Sequence, residues 1–268
     1  ILKQKQNTIS KVKMAVDIMI YERSTIEERL KEKVKDRVKQ AYEIGQNIYK
    51  QNIHKKREAQ VKEMITDALR PMIWNGGESF IFILDKNGVF ALAPEYLKKF
   101  EQKSIIDFKD ATGRYVIQEE IALVKKEGEG FLWDTFTRPQ KDSSTQYKQI
   151  AFVKDFDMFE WYLGSTEYLD ITTKEIEKTA LEILRNINKN SEGYFFVFDT
   201  KGNVILHSSN PELEGKNLLQ SDNQNHVSTT TNLLKSAGSK FKDFVSYSWE
   251  NPKNGKIETK LSFIQRVP

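Results

Sequence analysis

The chain contains no cysteine, which removes disulfides, thiol nucleophiles and thiolate metal sites. Its three histidines, His54, His207 and His226, are too scattered for HxxxH-type ligand spacing, so no metal site is expected. No stretch approaches the ~18 consecutive apolar residues of a membrane span. Neither sign of charge dominates: 42 Lys and Arg against 38 Asp and Glu leave a net charge of +4. The runs ERLKEKVKDR and HKKREAQVKE alternate in sign, as on a solvated helix rather than a nucleic-acid-binding face. There is no nucleophile elbow, P-loop or HExxH motif, so neither catalysis nor a cofactor is expected. Gly128 and Gly130 in EGEGF read as a turn before a strand, not as a phosphate loop.

What remains is a polar chain of 268 residues that can still build a core, with 16 Phe, 10 Tyr and 4 Trp. The first seventy residues hold no proline and a single glycine, Gly45. Leu30, Val34, Val38, Ala41, Ile44 and Ile48 recur at spacings of three and four, which predicts one apolar stripe along a long helix. That stripe serves either to pack on the following domain or as a dimer seam. A second helical stretch carries Val61, Ile65, Ala68 and Leu69, and Pro71 ends it.

Beyond Pro71 the pattern changes to short strands and turns. SFIFILD-KNG-VFALAP reads as a β-hairpin turning at Asn87-Gly88. A mixed loop and helix covers residues 110–126, and strands follow at FLWDTF, QIAFVKDF and WYLGSTEY. Residues 172–190 form an amphipathic helix with Ile176, Ala180, Ile183, Leu184 and Ile187 on one side. The pattern then repeats. YFFVFDTKGNVILHSS matches the first hairpin, aligning Asp85 with Asp199, Gly88 with Gly202 and Ala93 with His207. FLWDTFTRP (131–139) matches FVSYSWENP (244–252), and IAFVK (150–154) matches LSFIQ (261–265). The second copy lacks a counterpart of WYLGSTEY, and the chain is expected to be a piece of a longer protein. Two copies of one supersecondary unit are expected: a helical segment at 1–72, a first module at 73–171 and a second at 172–268.

GYFFVFDTKGNVILHSSNPELEGKNLL (193–219) and KDFVSYSWENPKNGKIETKLSF (242–263) resemble the Cache 2 family of sensor domains. The first module, with DKNG, EGEGF and FEWYLGSTEYLD, is similar in a looser way, so the chain resembles a double Cache region. The resemblance implies an α+β fold: a long N-terminal helix, then two tandem PAS-like Cache modules, each an antiparallel sheet with flanking helices. It also implies a periplasmic or extracellular sensor flanked by transmembrane helices absent from this chain. The output would be a chemoreceptor domain, a histidine kinase or a cyclic-dinucleotide enzyme, and the ligand a small carboxylate or amino acid. A homodimer through the N-terminal helix is expected in the full receptor; a structural spacer without ligand is the alternative.

The resemblance also implies where a ligand would sit. In the second module the family positions fall on Tyr247 and Trp249, with His207 and Lys260 nearby; side chains two apart on a strand share a face. A phenol, an imidazole and an ammonium would suit a carboxylate, although Tyr and Trp on a strand are also ordinary core residues. In the first module the same positions hold Asp134, Phe136, Ala93 and Gln149. Arg138 joins Asp134 and Phe136 on one strand face, and Trp133, Tyr147 and Phe82 are candidates for the same mouth. An Asp beside an Arg suits a zwitterion, unless Asp134 and Arg138 pair with each other.

Overall fold

A computed structural model describes residues 2–138, 142–187, 193–251 and 255–267. Pro139 and Pro252, which end sequence motifs noted above, lie outside the described residues. The chain divides into two compact units, Thr25–Lys174 and Ile1–Ser24 with Glu175–Pro268. The N-terminal helical stretch is three helices: α1 (Leu2–Ser24), α2 (Ile26–Asn52) and α3 (Glu58–Leu69). The first belongs to one unit and the other two to the second.

In the unit Thr25–Lys174, β1 (Ile73–Trp74), β2 (Ser79–Asp85) and β3 (Phe90–Leu92) precede α4 (Val116–Glu127). Then follow β4 (Glu129–Arg138), β5 (Asp142–Asp155), β6 (Trp161–Tyr168) and the start of α5 (Leu169–Ile187). The sheet is antiparallel in the order β1-β2-β6-β5-β4, with β3 paired to β2. The last strand in sequence is thus the middle one in space, and all eight of its residues are buried. Alternation along the strands sorts the side chains into two layers. Ile81, Ile83, Ile150, Phe152, Trp161 and Leu163 meet the apolar stripes of α2 and α3. Phe80, Phe82, Leu84, Leu132, Val153 and Tyr162 face the other way, toward α4 and the loop that includes the 3-10 turn Glu95–Phe100.

The stripe on α2 is consumed by its own sheet. Leu30, Val34, Val38 and Ala41 are fully buried there, as are Val61, Ile65 and Leu69 of α3. The stripe then passes through Gly45 rather than the expected Ile44, which is 40% exposed. A Cβ at Gly45 would lie 2.8 Å from the Phe156 ring, so only a glycine lets the helix approach the sheet that closely. Ala68, placed on the second stripe by spacing, is exposed.

The hairpin expected at Asn87-Gly88 is present. Asp85 Oδ1 accepts from the amides of Asn87 and Val89, and Gly88 takes a φ of 76°. Asp199 does the same for Lys201 and Asn203, with Gly202 at 85°, so the two halves share this turn atom for atom. The second unit continues with β7 (Phe196–Phe198), β8 (Val204–His207), α6 (Gln224–Ser239), β9 (Lys242–Glu250) and β10 (Ile257–Gln265). Among its described residues the named strands pair as two antiparallel ribbons, β7-β8 and β9-β10. The reason is visible in the first unit, where β6 joins the β2-β3 hairpin to β5; no counterpart of β6 occurs among the described residues of the second. One face of α1 (Val12, Ala15, Met19) packs with Leu181 and Leu184 of α5 and with Phe195 and Leu206.

A buried polar tie joins α2 to the sheet: Arg37 and Glu167 of β6 lie 2.7 Å apart, both buried. Asn75 donates to the same carboxylate at 2.6 Å, and the Arg37 guanidinium lies 4.3 Å over the Trp74 ring. Arg37→Met would leave the Glu167 charge without its nearest cation, and we expect it to cost about 3 kcal/mol in urea unfolding. The double variant with Glu167→Gln should recover part of that loss. Full stability of the single variant would contradict the pairing.

Candidate ligand-binding sites

In the first module the sheet face beneath α4 carries an unusual density of polar groups. Asp134 on β4 stands directly opposite Gln149 on β5, and Gln149 Nε2 donates to Asp134 Oδ1 at 2.7 Å. Glu120 projects from α4 and its Oε2 accepts from the Tyr162 hydroxyl at 2.9 Å. Both carboxyls are almost wholly buried. Burial pushes Asp134 up to about 7; burial, with the Asp134 charge adding to it, pushes Glu120 up to about 8. Asp110 behaves differently. Burial opposes its charge, but the Thr112 hydroxyl and the amides of Thr112 and Arg114 hold its carboxyl below the usual range.

Arg138 lies on the same face but is already engaged. Its guanidinium forms a two-point pair with Asp170 at the start of α5, and its Nε lies 3.8 Å from Glu78. It is also packed over Tyr147 and Tyr168, 4.5 and 4.1 Å from the ring centres. The sequence allowed Arg138 to hold a ligand's carboxylate or to pair with Asp134; in the structure its guanidinium pairs with Asp170 and not with Asp134.

The other candidates divide by strand alternation. Phe136 meets Phe108 at 5.4 Å on the Asp134 face, and Tyr147 meets Tyr168 at 6.3 Å. Phe82 is on this face too, its ring seated over Gly164, where a Cβ would come within 2.1 Å of it. Ala93 is buried, with its amide donating to Glu101 at 3.1 Å. Trp133 does not share a mouth with Tyr147. It points to the opposite face, against the α2 side of the core, with Lys148 stacked 4.6 Å over it.

The sequence reading missed Glu78, Asp110, Glu120, Tyr162, Tyr168 and Asp170. Glu120 had a signal, since it interrupts the apolar face of α4 formed by Ile117, Ile121 and Val124. The rest had none: Tyr162 and Tyr168 reach this site only through the place of β6 in the sheet, and Glu78, Asp110 and Asp170 only through loops and a helix start that the tertiary fold brings there.

The second module gathers all four residues expected of it. Tyr247 stands opposite Lys260 across β9 and β10, the same register that sets Asp134 opposite Gln149. Trp249 stacks on His207 at 6.2 Å and on His226 at 4.7 Å, and meets Tyr247 edge-on at 6.2 Å. Tyr194, which the sequence reading overlooked, lies 4.9 Å from His207 and 3.4 Å from Lys260 Nζ. Burial lowers His207 to about 4, so its ring is neutral at pH 7. Its Nδ1 accepts from the Asn210 amide at 3.1 Å, which assigns the hydrogen to Nε2. Burial also lowers Lys260. The Tyr247 hydroxyl shares a hydrogen bond with Ser262 at 2.8 Å. The cluster therefore offers donors: an Nε2–H, two phenols and an ammonium.

A family model for the Cache domain, of the dCache_2 type, matches residues 1–268. The chain belongs to the Cache domain family. It is an extracytoplasmic sensor domain of a receptor. Over 85 residues it is 32% identical to the sensor histidine kinase MctS of Rhizobium johnstonii, covering 31% of this chain and 18% of the kinase. The Cache chain thus spans under a fifth of that relative's length. Among solved structures it resembles a periplasmic sensor domain of a chemotaxis protein (TM-score 0.48, 20% identity, 53% of this chain and 96% of that one). It also resembles a methyl-accepting chemotaxis protein from Vibrio parahaemolyticus (TM-score 0.47, 21% identity, 58% and 99%).

The raised carboxyls of the first module set a pH dependence. At pH 6.5 the folded chain holds protons on Asp134 and Glu120 that the unfolded chain, with ordinary carboxyls, has lost. Raising the pH to 9 strips them from the folded state only, so stability falls. The limiting slope is about 1.4 kcal/mol per pH unit per group. Urea midpoints at pH 6.5, 7.5 and 8.5 should decline, and Asp134→Asn should flatten the decline. A midpoint that climbs across this range would contradict the buried-acid description.

Proposed function

We propose that the second module is a binding site for a small carboxylate, and that its occupation is what the sensor reports. The observation that supports this is the run of contacts that joins Lys260, Tyr194, His207, Trp249 and Tyr247. Every polar atom named there donates or is able to donate, and two of the groups, the neutral His207 and the half-buried Lys260, are poorly solvated. A carboxylate supplies the acceptors that such a set lacks, and the stacked rings accept a short apolar tail.

The remainder of the reading concerns the whole receptor. Ligand closure shifts the helices that flank the module, and a cytoplasmic output (a chemoreceptor domain, a histidine kinase or a cyclic-dinucleotide enzyme) responds. Such a device requires different affinity for two states, commonly worth about 1–3 kcal/mol. Homodimerisation through the N-terminal helices belongs to the same reading. With the α2 stripe buried in its own unit, α1 is the better candidate, through Met14, Ile18 and Tyr21 on the side away from its packed face.

The test is thermal unfolding of the chain against acetate, propionate, pyruvate and a set of amino acids at fixed ionic strength. At 100 times its dissociation constant a ligand adds roughly 2.7 kcal/mol. Propionate or a near relative is expected to raise the midpoint, and His207→Ala and Lys260→Ala to abolish the shift. A rise that survives both substitutions removes the second module as the site; no rise with any carboxylate favours the spacer reading.

A further inference from the structure

The two modules place opposite chemistry at equivalent positions. Where the second has Tyr247 facing Lys260, the first has Asp134 facing Gln149, and two buried oxygens there lack a hydrogen-bond partner. Gln149 is 5% exposed, and with its amide nitrogen committed to Asp134 its carbonyl oxygen lies on the same sheet face, buried and without a hydrogen-bond partner. Asp110, also 5% exposed, spends Oδ1 on its own turn and leaves Oδ2 buried and unpartnered. The nearby cations are occupied: Arg114 pairs with Glu119 and donates to the Trp133 carbonyl, and Arg138 pairs with Asp170. Phe82, Phe136 and Tyr162 supply ring surface on this face.

Buried acceptors without donors are costly, so a donor, either water or the N–H of a ligand, belongs beside them. A zwitterion would need a free guanidinium for its carboxylate, and Arg138 is not free. Among the described residues no three carboxylates or histidines converge closely enough for a metal ion. An organic ammonium fits better, having directional N–H donors and an apolar body suited to aromatic faces.

We propose that this face of the first module binds a small primary ammonium ion, held by the Asp134 carboxylate and the Gln149 carbonyl oxygen in the field of Asp110. The site is independent of the carboxylate site in the second module, so the two fail or stand separately. Its pH dependence follows from the groups that face Asp134: Gln149 on β5, Asp110 and Arg114 before α4, Glu119 and Glu120 on α4, and Tyr168 on β6. The ammonium favours ionised Asp134, so binding releases a proton near neutral pH. Affinity should rise about tenfold from pH 6 to pH 8, since an alkylammonium stays charged to about pH 10.

The experiment is calorimetric titration of the 268-residue chain with propylammonium chloride at pH 6, 7 and 8, in two buffers of different ionisation enthalpy. Alanine and propionate serve as comparisons. The expected result is binding of propylammonium with proton release, weakened at least ~10-fold by Asp134→Asn and by Gln149→Leu and unchanged by Lys260→Ala. Asp134→Asn keeps the shape of the side chain; an unchanged circular dichroism spectrum separates lost binding from lost fold. The proton release in the unaltered chain tests the site without any variant. Absence of binding by propylammonium and ethanolammonium would overturn the proposal, as would binding that survives Asp134→Asn. Alanine binding more tightly than propylammonium, with that advantage lost in Arg138→Ala, would overturn it in favour of a zwitterion.

Discussion

The first module depends on β6. It is the central strand of the sheet and is buried from end to end, so each of its residues must satisfy one of two interiors. Trp161, Leu163 and Glu167 face the helices; Tyr162 and Tyr168 face the polar site. A strand in that position cannot shift register by one residue without exchanging those two sets, and Glu167 would then lose Arg37 while Tyr162 lost Glu120. The buried Arg37–Glu167 pair thus contributes more to fixing which face is which than to net stability, where burying two charges recovers little.

What the two modules share is a ribbon register, not the β6 constraint. The β4-β5 and β9-β10 ribbons share a register, shown by the paired positions Phe131–Phe152 and Phe244–Phe263 as well as by Asp134–Gln149 and Tyr247–Lys260. The backbone sets which positions face each other; the side chains there decide the polarity of the face. Exchanging Tyr and Lys for Asp and Gln converts a set of donors into a set of acceptors without altering the strand pairing.

The fold was legible in sequence to the extent that local pattern carries it. The α2 and α3 stripes, the two Asp-anchored hairpins and the strand matches between halves were all readable, because each rests on spacing within a few residues. The exception on α2 is instructive. Spacing favoured Ile44, but the helix needed to approach Phe156, and the absent side chain of Gly45 decided the stripe. The second module's four residues were named by the family resemblance, and the structure brings them together. The first module's site was readable only on β4 and β5. Tyr162, Tyr168 and Asp170 come from β6 and the helix after it, and Asp110 and Glu120 come from a loop and helix folded over the sheet. Nothing in the linear order says that the last strand inserts between β2 and β5, so Arg138 could not be assigned its partner.

The same strand supplies a route by which the first module's site and its helices can affect one another. Tyr168 packs against Arg138 on one face, and its neighbour Glu167 grips Arg37 on the other. Asn75, bonded to Glu167, begins a turn in which residues 75, 76 and 77 all have positive φ, and this turn delivers Glu78 to Arg138. Arg138 in turn ties the first turn of α5 through Asp170. A change in charge or packing beside Arg138 therefore meets groups that touch α2, the 75–77 turn and α5 within one or two contacts. A ligand that favours one arrangement of them over another has the means to bias the helices, by no more than its difference in affinity for the two.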